Sequence, residues 1–336
     1  MNILILSAGT RNKVVEAFRE TLAQDAAERP GGGGRVIATD ASGLAPALYA
    51  ADAAYVVPRI DAPGYIDRIL EICRKEQITG LFSLIDPELS LIAKERERFG
   101  EIGVTPVVSS YALCEASLDK ERMAHIFREQ GLRTAQNYLT YEDYERAAAA
   151  GDPGTALPVF VKPRHGSASI GINFIPDSTL LRALCATDGD LMIQSCMHGQ
   201  EYGADVYIDL ISGRCTQIFL KKKIKMRAGE TDKSVSVKNP ALFRTIAAFV
   251  ERAGFRGMID IDLFLNPDGV WYFSEVNPRF GGGYPHAYAC GVNFPRAVLH
   301  NLRGEENPVT IGDYEEGVCM MKYNELCIRK EEALAS

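Results

Sequence analysis

The sequence has no hydrophobic run near the roughly 20 residues that span a bilayer, so we expect no membrane partner. Residues 1–6 have no basic segment before them and the apolar run breaks at Ser7, which disfavours a secretory signal. The eight cysteines form no Cys-x-x-Cys pair, and the five histidines are dispersed. These absences argue against a zinc site and a disulfide framework, and they predict reduced thiols in a cytoplasmic protein.

An excess of positive charge is also missing. Lys and Arg number 37 against 44 Asp and Glu, which gives a formal net charge of -7. This balance argues against a protein that binds nucleic acid through its phosphate backbone. The 336 residues are 46% hydrophobic and 24% charged, a composition typical of a globular protein with two or three lobes.

The first hundred residues alternate short apolar runs with amphipathic stretches, which predicts a parallel sheet covered on both faces. The turn after the first strand carries only Gly9, whereas the dinucleotide fingerprint needs three spaced glycines. A plain strand-to-helix turn is therefore the preferred interpretation there. From about residue 157 the chain becomes rich in strands. The strands predicted along the whole chain are 3–6, 35–39, 80–85, 104–108, 158–162, 171–175, 191–194, 202–210, 216–227, 258–265 and 270–276.

Lys162 ends an apolar strand and precedes a loop of small residues that includes Gly166, Ser167 and Gly171. The ammonium group supplies charge, while glycine and serine let backbone N–H groups approach phosphate oxygens. The glycines match neither the Walker nor the Rossmann pattern. A surface hairpin with a solvated lysine is the alternative interpretation.

Acidic and amide side chains alternate on two successive predicted strands. Asp260 and Asp262 share one strand face, and Glu275 and Asn277 share a face of the next strand. Asp262, Glu275 and Asn277 would form a hard-oxygen site suited to Mg²⁺. The prediction depends on register, because a turn with a glycine bulge would put Asp262 and Glu275 on opposite faces. A solvated outer face is the alternative, and apolar Phe273 on the supposed polar face favours it.

Four cations follow at a strict period of two, which places Lys221, Lys223, Lys225 and Arg227 on one strand face. An exposed basic face is the usual explanation of such a pattern. Packing like charges together is unfavourable unless solvent or an anion screens them, so the pattern also fits a face turned toward a triphosphate. We expect Arg227 to lie nearest the anion and Lys221 to be solvated.

Two further segments carry groups suited to a nucleotide. Arg279 precedes the glycine run 281–283 and can clamp a phosphoryl or carboxylate group, although the run also fits a plain turn. The predicted strand 191–194 ends in Gln194, and its backbone can bind an adenine edge. Glu201, seven residues later, is placed to accept hydrogen bonds from ribose hydroxyls.

In this order, these elements resemble the ATP-grasp superfamily, above all stand-alone relatives of the ATP-binding region of carbamoyl-phosphate synthase large chain and of biotin carboxylase. The resemblance rests on residues 161–163 with their glycine loop, on Gln194 and Glu201, on Asp262, and on residues 274–279. It covers nearly the whole chain. Asp262 departs from the family pattern, in which a longer Glu or Gln is expected, and Gln194 stands where a glutamate is common.

The resemblance implies a fold of the α/β and α+β classes. Residues 1–110 would form a Rossmann-like pre-ATP-grasp domain, and residues 111–326 a two-lobed ATP-grasp domain with antiparallel sheets. The small lobe would span about 120–193 and the large lobe about 194–326.

The family's roles also transfer to individual residues of this sequence. Catalysis would involve Arg279, which stabilises the transferred phosphoryl group or the acyl phosphate, and Arg227. The metal ligands would be Asp262, Glu275 and Asn277, which hold two Mg²⁺ ions, with Mn²⁺ as a substitute. ATP would be bound by Lys120, Lys162 and Lys223 at the phosphates (Lys162 also reaches the adenine side), by the loop with Gly166, Ser167 and Gly171, by Gln194 and Met197 at adenine, and by Glu201 at ribose.

The resemblance implies an ATP-dependent carboxylate–amine or carboxylate–thiol ligase that acts on small molecules such as amino acids. It would proceed through an acyl phosphate and release ADP and phosphate. Alternatives are carbamoyl-phosphate-synthase-like phosphoryl transfer, carboxylation on the same scaffold, or a non-catalytic nucleotide sensor. We expect substrate contacts from residues 281–286 and from Asp86 and Glu88, and a homodimer is left open. A complete synthase is not expected, because the chain ends soon after Tyr323.

Overall fold

The computed structural model describes residues 1–166, 171–186 and 190–334. Within these ranges, the helices are too short or too polar to cross a membrane. All eight cysteines are free thiols. Ser167, which we predict to bind nucleotide, lies outside the described residues.

The amino-terminal third builds a parallel sheet with the strand order β3-β2-β1-β4-β5. Its elements are β1 Asn2–Leu6, α1 Asn12–Glu28, β2 Val36–Asp40, β3 Ala53–Val56, α2 Tyr65–Lys75, β4 Ile78–Ser83, α3 Asp86–Lys94, α4 Arg96–Gly100 and β5 Thr105–Pro106, with a 3₁₀ helix at Pro46–Ala50. After Asn2, β1 is apolar because both its faces are covered: Ile3 and Ile5 pack into one core cluster, and Leu4 and Leu6 into another. The chain leaves β1 toward β2 on one side and β4 lies on the other, so β1 and β4 flank a topological switch point.

A small antiparallel sheet follows, with the order β6-β9-β7-β8. Its elements are α5 Tyr111–Leu118, α6 Lys120–Glu129, β6 Asn137–Tyr138, α7 Tyr141–Ala149, β7 Val159–Pro163, β8 Asn173–Ile175, α8 Ser178–Cys185 and β9 Leu191–Ser195, with a 3₁₀ helix at Pro153–Thr155. Tyr138, Tyr144, Val159 and Ile193 pack in its own apolar core.

The last part of the chain forms a larger antiparallel sheet with the order β14-β13-β10-β11-β12-β15. Its elements are β10 Gln200–Ile208, β11 Cys215–Arg227, β12 Glu230–Val237, α9 Pro240–Ala253, β13 Gly257–Leu265, β14 Trp271–Asn277, α10 Tyr284–Ala289, α11 Phe294–Leu302 and β15 Cys319–Met321, with a 3₁₀ helix at Glu331–Ala333. The parallel sheet and the antiparallel sheets confirm the predicted fold class. The division of the chain at residues 110 and 111 stays a prediction.

Candidate active site

Charged side chains cover one face of the large sheet where its central strands lie side by side. Asp262 on β13 pairs directly with Glu275 on β14, and Asp260 pairs with Asn277. Because cross-strand partners project to the same face, these four side chains form a contiguous polar patch. The structure thus brings together the three residues that we predict as metal ligands.

A β-bulge explains how this patch coexists with the apolar Phe273. Asp262 pairs with Glu275, but the next residue, Leu263, pairs with Phe273, so Ser274 is an extra residue in β14. The shift turns Phe273 away from the face of Glu275 and into the core, where its ring contacts the rings of Phe127 and Phe249. The expectation that Phe273 lies on the polar face is therefore wrong.

Lys223 on β11 joins two of the predicted site residues. Its ammonium donates hydrogen bonds to Glu201 at 2.7 Å and to Asp262 at 2.6 Å. Burial lowers the pKa of Lys223, but the carboxylates of Asp262 and Glu201 outweigh burial and hold it above its usual value. The ammonium group of Lys223 is thus held against these two carboxylates, in the region where we predict that nucleotide phosphates bind.

The expectation that Lys221 is solvated is wrong. Its side chain is 1% exposed and is ion-paired with the equally buried Asp205, with Asp260 at 3.9 Å. Gly203 makes room for this arrangement, since a Cβ there would lie 3.1 Å from Cε of Lys221 and 3.2 Å from Cε of Lys223. The sheet buries these two lysines because three aspartates of β10 and β13 neutralise them.

Arg227 does not join this cluster. Its side chain is half exposed near the end of the β11–β12 hairpin, where it pairs with Asp232 at 3.1 Å. Lys225 is exposed as well. The register of β11 shifts between Lys223 and Lys225 and again after Lys225, so the prediction that one strand face carries all four cations is wrong. Only Lys221 and Lys223 are buried together. Arg227 lies apart from them, so its choice as the cation nearest the anion is not supported.

Two lysines of the small sheet region face the carboxylates of the large sheet. Lys162 on β7 and Lys120 at the start of α6 both act electrostatically on Glu275. Burial and the neighbouring Asp262 raise the pKa of Glu275 to about 7, and the lysines oppose this rise. Burial lowers the pKa of Lys162 to about 8, with Lys120 adding to the effect and Glu275 opposing it.

The base of the predicted phosphate loop is tied to Lys120. Its ammonium donates a hydrogen bond to the carbonyl oxygen of Gly166 at 2.8 Å, and its backbone N–H donates to Arg164. Gly166 and Gly171, which bound the undescribed part of this loop, have φ angles of +110° and +72°. Such angles favour glycine, so both positions meet a backbone requirement.

The predicted adenine and ribose contacts lie at the junction of the two antiparallel sheets. Gln194 is buried on β9 and donates a hydrogen bond to Asn137 at 2.8 Å, so its side chain is already engaged. Met197 is half-buried in the connection from β9 to β10. Glu201 is the second residue of β10 and accepts the hydrogen bond from Lys223. The three residues therefore lie on the segment that connects the two antiparallel sheets. We refer to the region between Lys162 and Glu275 as the groove.

Arg279 forms an ion pair with Asp86 in which Nε and Nη2 lie 3.1 and 3.0 Å from one carboxylate oxygen, Oδ2. Burial lowers the pKa of Arg279, but Asp86 and Asp260 outweigh burial and raise it. Asp86, from which we expect a substrate contact, is thus linked to the candidate site by its ion pair with Arg279. Glu88 does not, because it is fully buried and accepts hydrogen bonds from Tyr65 and Ser83.

Sequence patterns missed two contributors to this face. Asp205 neutralises Lys221. Asp205 lies two residues after Gly203 on β10, so both residues belong to the same strand face, and this spacing is a sequence signal that would have located Asp205. Arg11 follows β1 and pairs with Glu230 at 2.9 Å. No local pattern points to Arg11, because its partner lies more than two hundred residues away in sequence.

The donor set fits a divalent cation. Among the residues that the structure describes, no three or more Asp, Glu, His or Cys side chains form a complete metal-binding group. The predicted set contains two carboxylates and one amide, and Mg²⁺ is commonly held by one or two carboxylates together with water and phosphate oxygens. Asp262 raises the pKa of the opposite Glu275 by like-charge repulsion, which a cation bound between them would relieve.

Comparison with known proteins agrees with this geometry. A family model described as PylC-like, N-terminal domain, matches residues 3–107, and a model described as ATP-grasp in the biosynthetic pathway with Ter operon matches residues 187–325. The D-alanine–D-alanine ligase of Frankia casuarinae is 25% identical over 229 residues, which cover 60% of this chain and 59% of that protein. The chain thus spans about three fifths of that relative.

Two further similarities extend over more of the chain. The formate-dependent phosphoribosylglycinamide formyltransferase of Thioalkalivibrio sulfidiphilus is 25% identical over 300 residues, or 82% of this chain and 69% of that protein. The biotin carboxylase domain of 2-oxoglutarate carboxylase from Hydrogenobacter thermophilus superposes with a TM-score of 0.72 at 16% identity, and the match covers 94% of this chain and 73% of that one. The ATP-grasp model over residues 187–325 and these relatives support the assignment of this chain to the ATP-grasp superfamily.

Proposed function

We propose that the protein is an ATP-dependent ligase that joins a small-molecule carboxylate to an amine. The observation that carries the proposal is the cross-strand pair of Asp262 and the buried Glu275, on whose carboxyl group Lys120 and Lys162 act electrostatically. Cations beside carboxylates that can hold a metal are what a magnesium-bound triphosphate requires. The similarity to a D-alanine–D-alanine ligase supports an amino acid as one substrate.

The reaction would proceed in two steps. A substrate carboxylate oxygen attacks the γ-phosphorus of ATP, the bond to the ADP oxygen breaks, and an acyl phosphate forms. The amine then attacks the acyl carbon, phosphate leaves, and the proton lost by nitrogen passes to phosphate or solvent. Activation is needed because a free carboxylate is a poor electrophile.

This chain's residues would bind and orient the reactants. Lys120, Lys162 and Lys223 would contact the phosphates, with Glu201 at the ribose. Arg279, held by Asp86, would present its guanidinium to the transferred phosphoryl group. Closure of the two sheets on each other would exclude water, which otherwise hydrolyses the acyl phosphate.

Asp262, Glu275 and Asn277 would hold Mg²⁺, and we propose two ions. Bound there, the metal would neutralise charge on the β- and γ-phosphates during transfer. The carboxylate pair would then be fully ionised, since a cation lowers the pKa of its ligands.

The proposal is tested by ADP release from ATP and Mg²⁺ in the presence of each of a panel of amino acids and other carboxylates. We expect release that depends on one carboxylate and, with hydroxylamine as the nucleophile, a hydroxamate from the trapped acyl phosphate. Glu275→Gln should reduce this turnover by about 10²-fold or more. The control is Asp268→Asn, an exposed carboxylate in the turn of the same hairpin, which should leave turnover unchanged.

Release that requires only bicarbonate would contradict amide ligation and favour carboxylation. Nucleotide binding without turnover on any carboxylate would favour a sensor. Full activity of Glu275→Gln would overturn the metal site itself.

A further inference from the structure

A second group of charged side chains lies at the switch point of the parallel sheet, where β1 and β4 end. Arg11 follows β1 and immediately precedes α1, while Asp86 follows β4 and begins α3. β1 and β4 are neighbours from which the chain departs in opposite directions. In open parallel sheets, ligands bind in the crevice outside the carboxyl ends of two such strands.

Both sides of this crevice reach the large antiparallel sheet. Asp86 holds Arg279, and Arg11 pairs with Glu230, which also accepts a hydrogen bond from Lys322 at 2.8 Å. The side chain of Arg11 is only 22% exposed, and its charge interacts with those of Arg279, Asp260 and Asp86. Arg11 and Asp86 are therefore linked electrostatically to the acidic patch of the large sheet through Asp260 and Arg279.

The glycine run 281–283 forms the floor between these groups, and each of its members is approached by a different charged side chain. A Cβ on Gly281 would lie 2.5 Å from Cγ of Asp260, and one on Gly282 would lie 2.5 Å from Nη1 of Arg11. A Cβ on Gly283 would lie 2.7 Å from Cε of Lys221. Glycine is thus needed at these three positions because charged groups from other elements occupy the space that a side chain would fill. A plain turn would not require glycine at all three positions.

The charges around the crevice balance. The cations are Arg11, Lys221, Arg279 and Lys322, and the anions are Asp86, Asp205, Glu230 and Asp260, four of each sign. A dianionic phosphate would gain little in such surroundings, whereas a zwitterion with no net charge meets both signs. Asp86 adds a specific acceptor, because its side chain is 8% exposed and its Oδ1 has no hydrogen-bond partner among the described residues.

We propose that Arg11 is a specificity-determining residue that binds the carboxylate of the amine-bearing substrate, an amino acid, in the crevice between β1 and β4. The proposal rests on the proposed ligase function. Arg11 already holds one carboxylate, that of Glu230, through Nη2. The other N–H groups of its guanidinium have no hydrogen-bond partner among the described residues, so they can bind a second carboxylate. Glu230 would stay neutralised by Lys322.

The orientation of the amino acid follows from the charges on each side. Asp86 acts electrostatically on Glu275, so it lies on the side of the proposed phosphoryl transfer. A substrate whose ammonium group binds Oδ1 of Asp86 would therefore have its amine end near the reacting acyl group. The carboxylate would point away from the chemistry, toward Arg11.

The test measures KM for two compounds. One is the amino acid that acts as the best nucleophile in the ADP-release panel. The other is the primary carboxamide of that amino acid, which keeps the amine but loses the negative charge of the carboxylate. In the wild type we expect KM for the acid to be about 10- to 100-fold lower than for the amide. In Arg11→Gln this preference should collapse to within about 3-fold, while KM for ATP stays unchanged. Arg11→Lys should retain part of the preference, since it keeps the charge but not the fork.

Arg19→Gln is the matched control, because Arg19 lies on the same helix and forms an exposed ion pair with Asp52. It should leave the preference intact. An acid-over-amide ratio that is the same in Arg11→Gln and the wild type would overturn the assignment of Arg11 while leaving the ligase proposal standing. Absence of carboxylate-dependent ADP release from the wild type would instead overturn the ligase proposal and this inference with it.

Discussion

At the scale of single residues, the candidate site consists of charges that oppose one another before any ligand binds. Glu275 lies opposite Asp262 and faces Lys120 and Lys162, and burial raises its pKa to about 7. A carboxyl group with such a pKa is costly to ionise in the ligand-free protein. We infer that a carboxyl group occupies this unfavourable position because its negative charge is required to bind a metal-bound polyphosphate. Strongly shifted pKa values of this kind are common at functional sites.

Replacing Glu275 should therefore stabilise the ligand-free protein at high pH. The pKa of Glu275 is about 7 in the folded state and 4.5 in the reference state, so the folded state binds more protons between these values. Stability then falls as pH rises through this range. We expect Glu275→Gln to raise the free energy of unfolding by about 2 kcal/mol at pH 8 and by little at pH 4.5.

Denaturant unfolding at the two pH values measures this difference. Glu97→Gln, a substitution of an exposed glutamate on α4, is the control and should have no effect at either pH. Equal stability of Glu275→Gln and the wild type at pH 8 would contradict the raised pKa.

At the scale of elements, the start of α6 and the end of β7 are joined by one aspartate. Asp119 accepts hydrogen bonds from the backbone N–H groups of Glu121 and Arg122, which caps α6, and it also binds Arg164 at 2.9 and 2.6 Å. Burial raises the pKa of Asp119, but Arg164 and the helix N–H groups outweigh it and lower the pKa to about 2. This connection holds Lys120 and Lys162, the residues next to it, in place despite their like charges.

Asp119→Asn separates these two roles, because asparagine still caps a helix but carries no charge. We expect a loss of about 1 kcal/mol in unfolding free energy and a several-fold weaker affinity for Mg²⁺–ADP, measured by calorimetry. Asp177→Asn is the matched control, since Asp177 caps α8 through Thr179 and Leu180 and forms no ion pair among the described residues. If both variants lose affinity equally, the ion pair with Arg164 does not position the lysines.

At the scale of the whole molecule, the groove joins two sheets with separate apolar cores. The small sheet packs around its own cluster of tyrosine and aliphatic side chains, and the large sheet shares a core with the parallel sheet. Residues 196–199 form the direct connection from β9 to β10. Few covalent connections and apolar contacts thus hold the small sheet against the large one. A ligand that contacts both sheets should therefore restrain the small sheet.

Mg²⁺–ADP should therefore stabilise the molecule in a metal-dependent way. At about 100 times its dissociation constant, a ligand that binds only the folded state adds about 2.7 kcal/mol. We expect this rise in thermal stability with ADP and Mg²⁺, and most of it should disappear when EDTA removes the metal. Equal stabilisation by ADP with and without EDTA would contradict a phosphate site built around Asp262 and Glu275.

Periodicity predicted the elements that carry the site but not their contacts. Strict alternation in residues 258–265 located β13 and put Asp260 and Asp262 on one face, as the structure has it. The strand β12 was missed because its buried residues are polar: Thr231 and Asp232 are consecutive, and in the alternating stretch 234–237 the serines are more buried than the valines. Alternation reveals a strand only when one of its faces meets solvent.

The order of residues along this chain was sufficient to predict most of the strands that the structure describes and to put Asp262 and Glu275 on neighbouring ones. Such features depend on side-chain spacing and backbone preference, which act over a few residues. The phosphate loop and the magnesium ligands stay predictions. The bulge beside Glu275, the burial of Lys221 against Asp205, and the pairs Arg279–Asp86 and Arg11–Glu230 required the folded molecule. These contacts join segments far apart in sequence, so they depend on the order of strands within a sheet and on how the sheets pack.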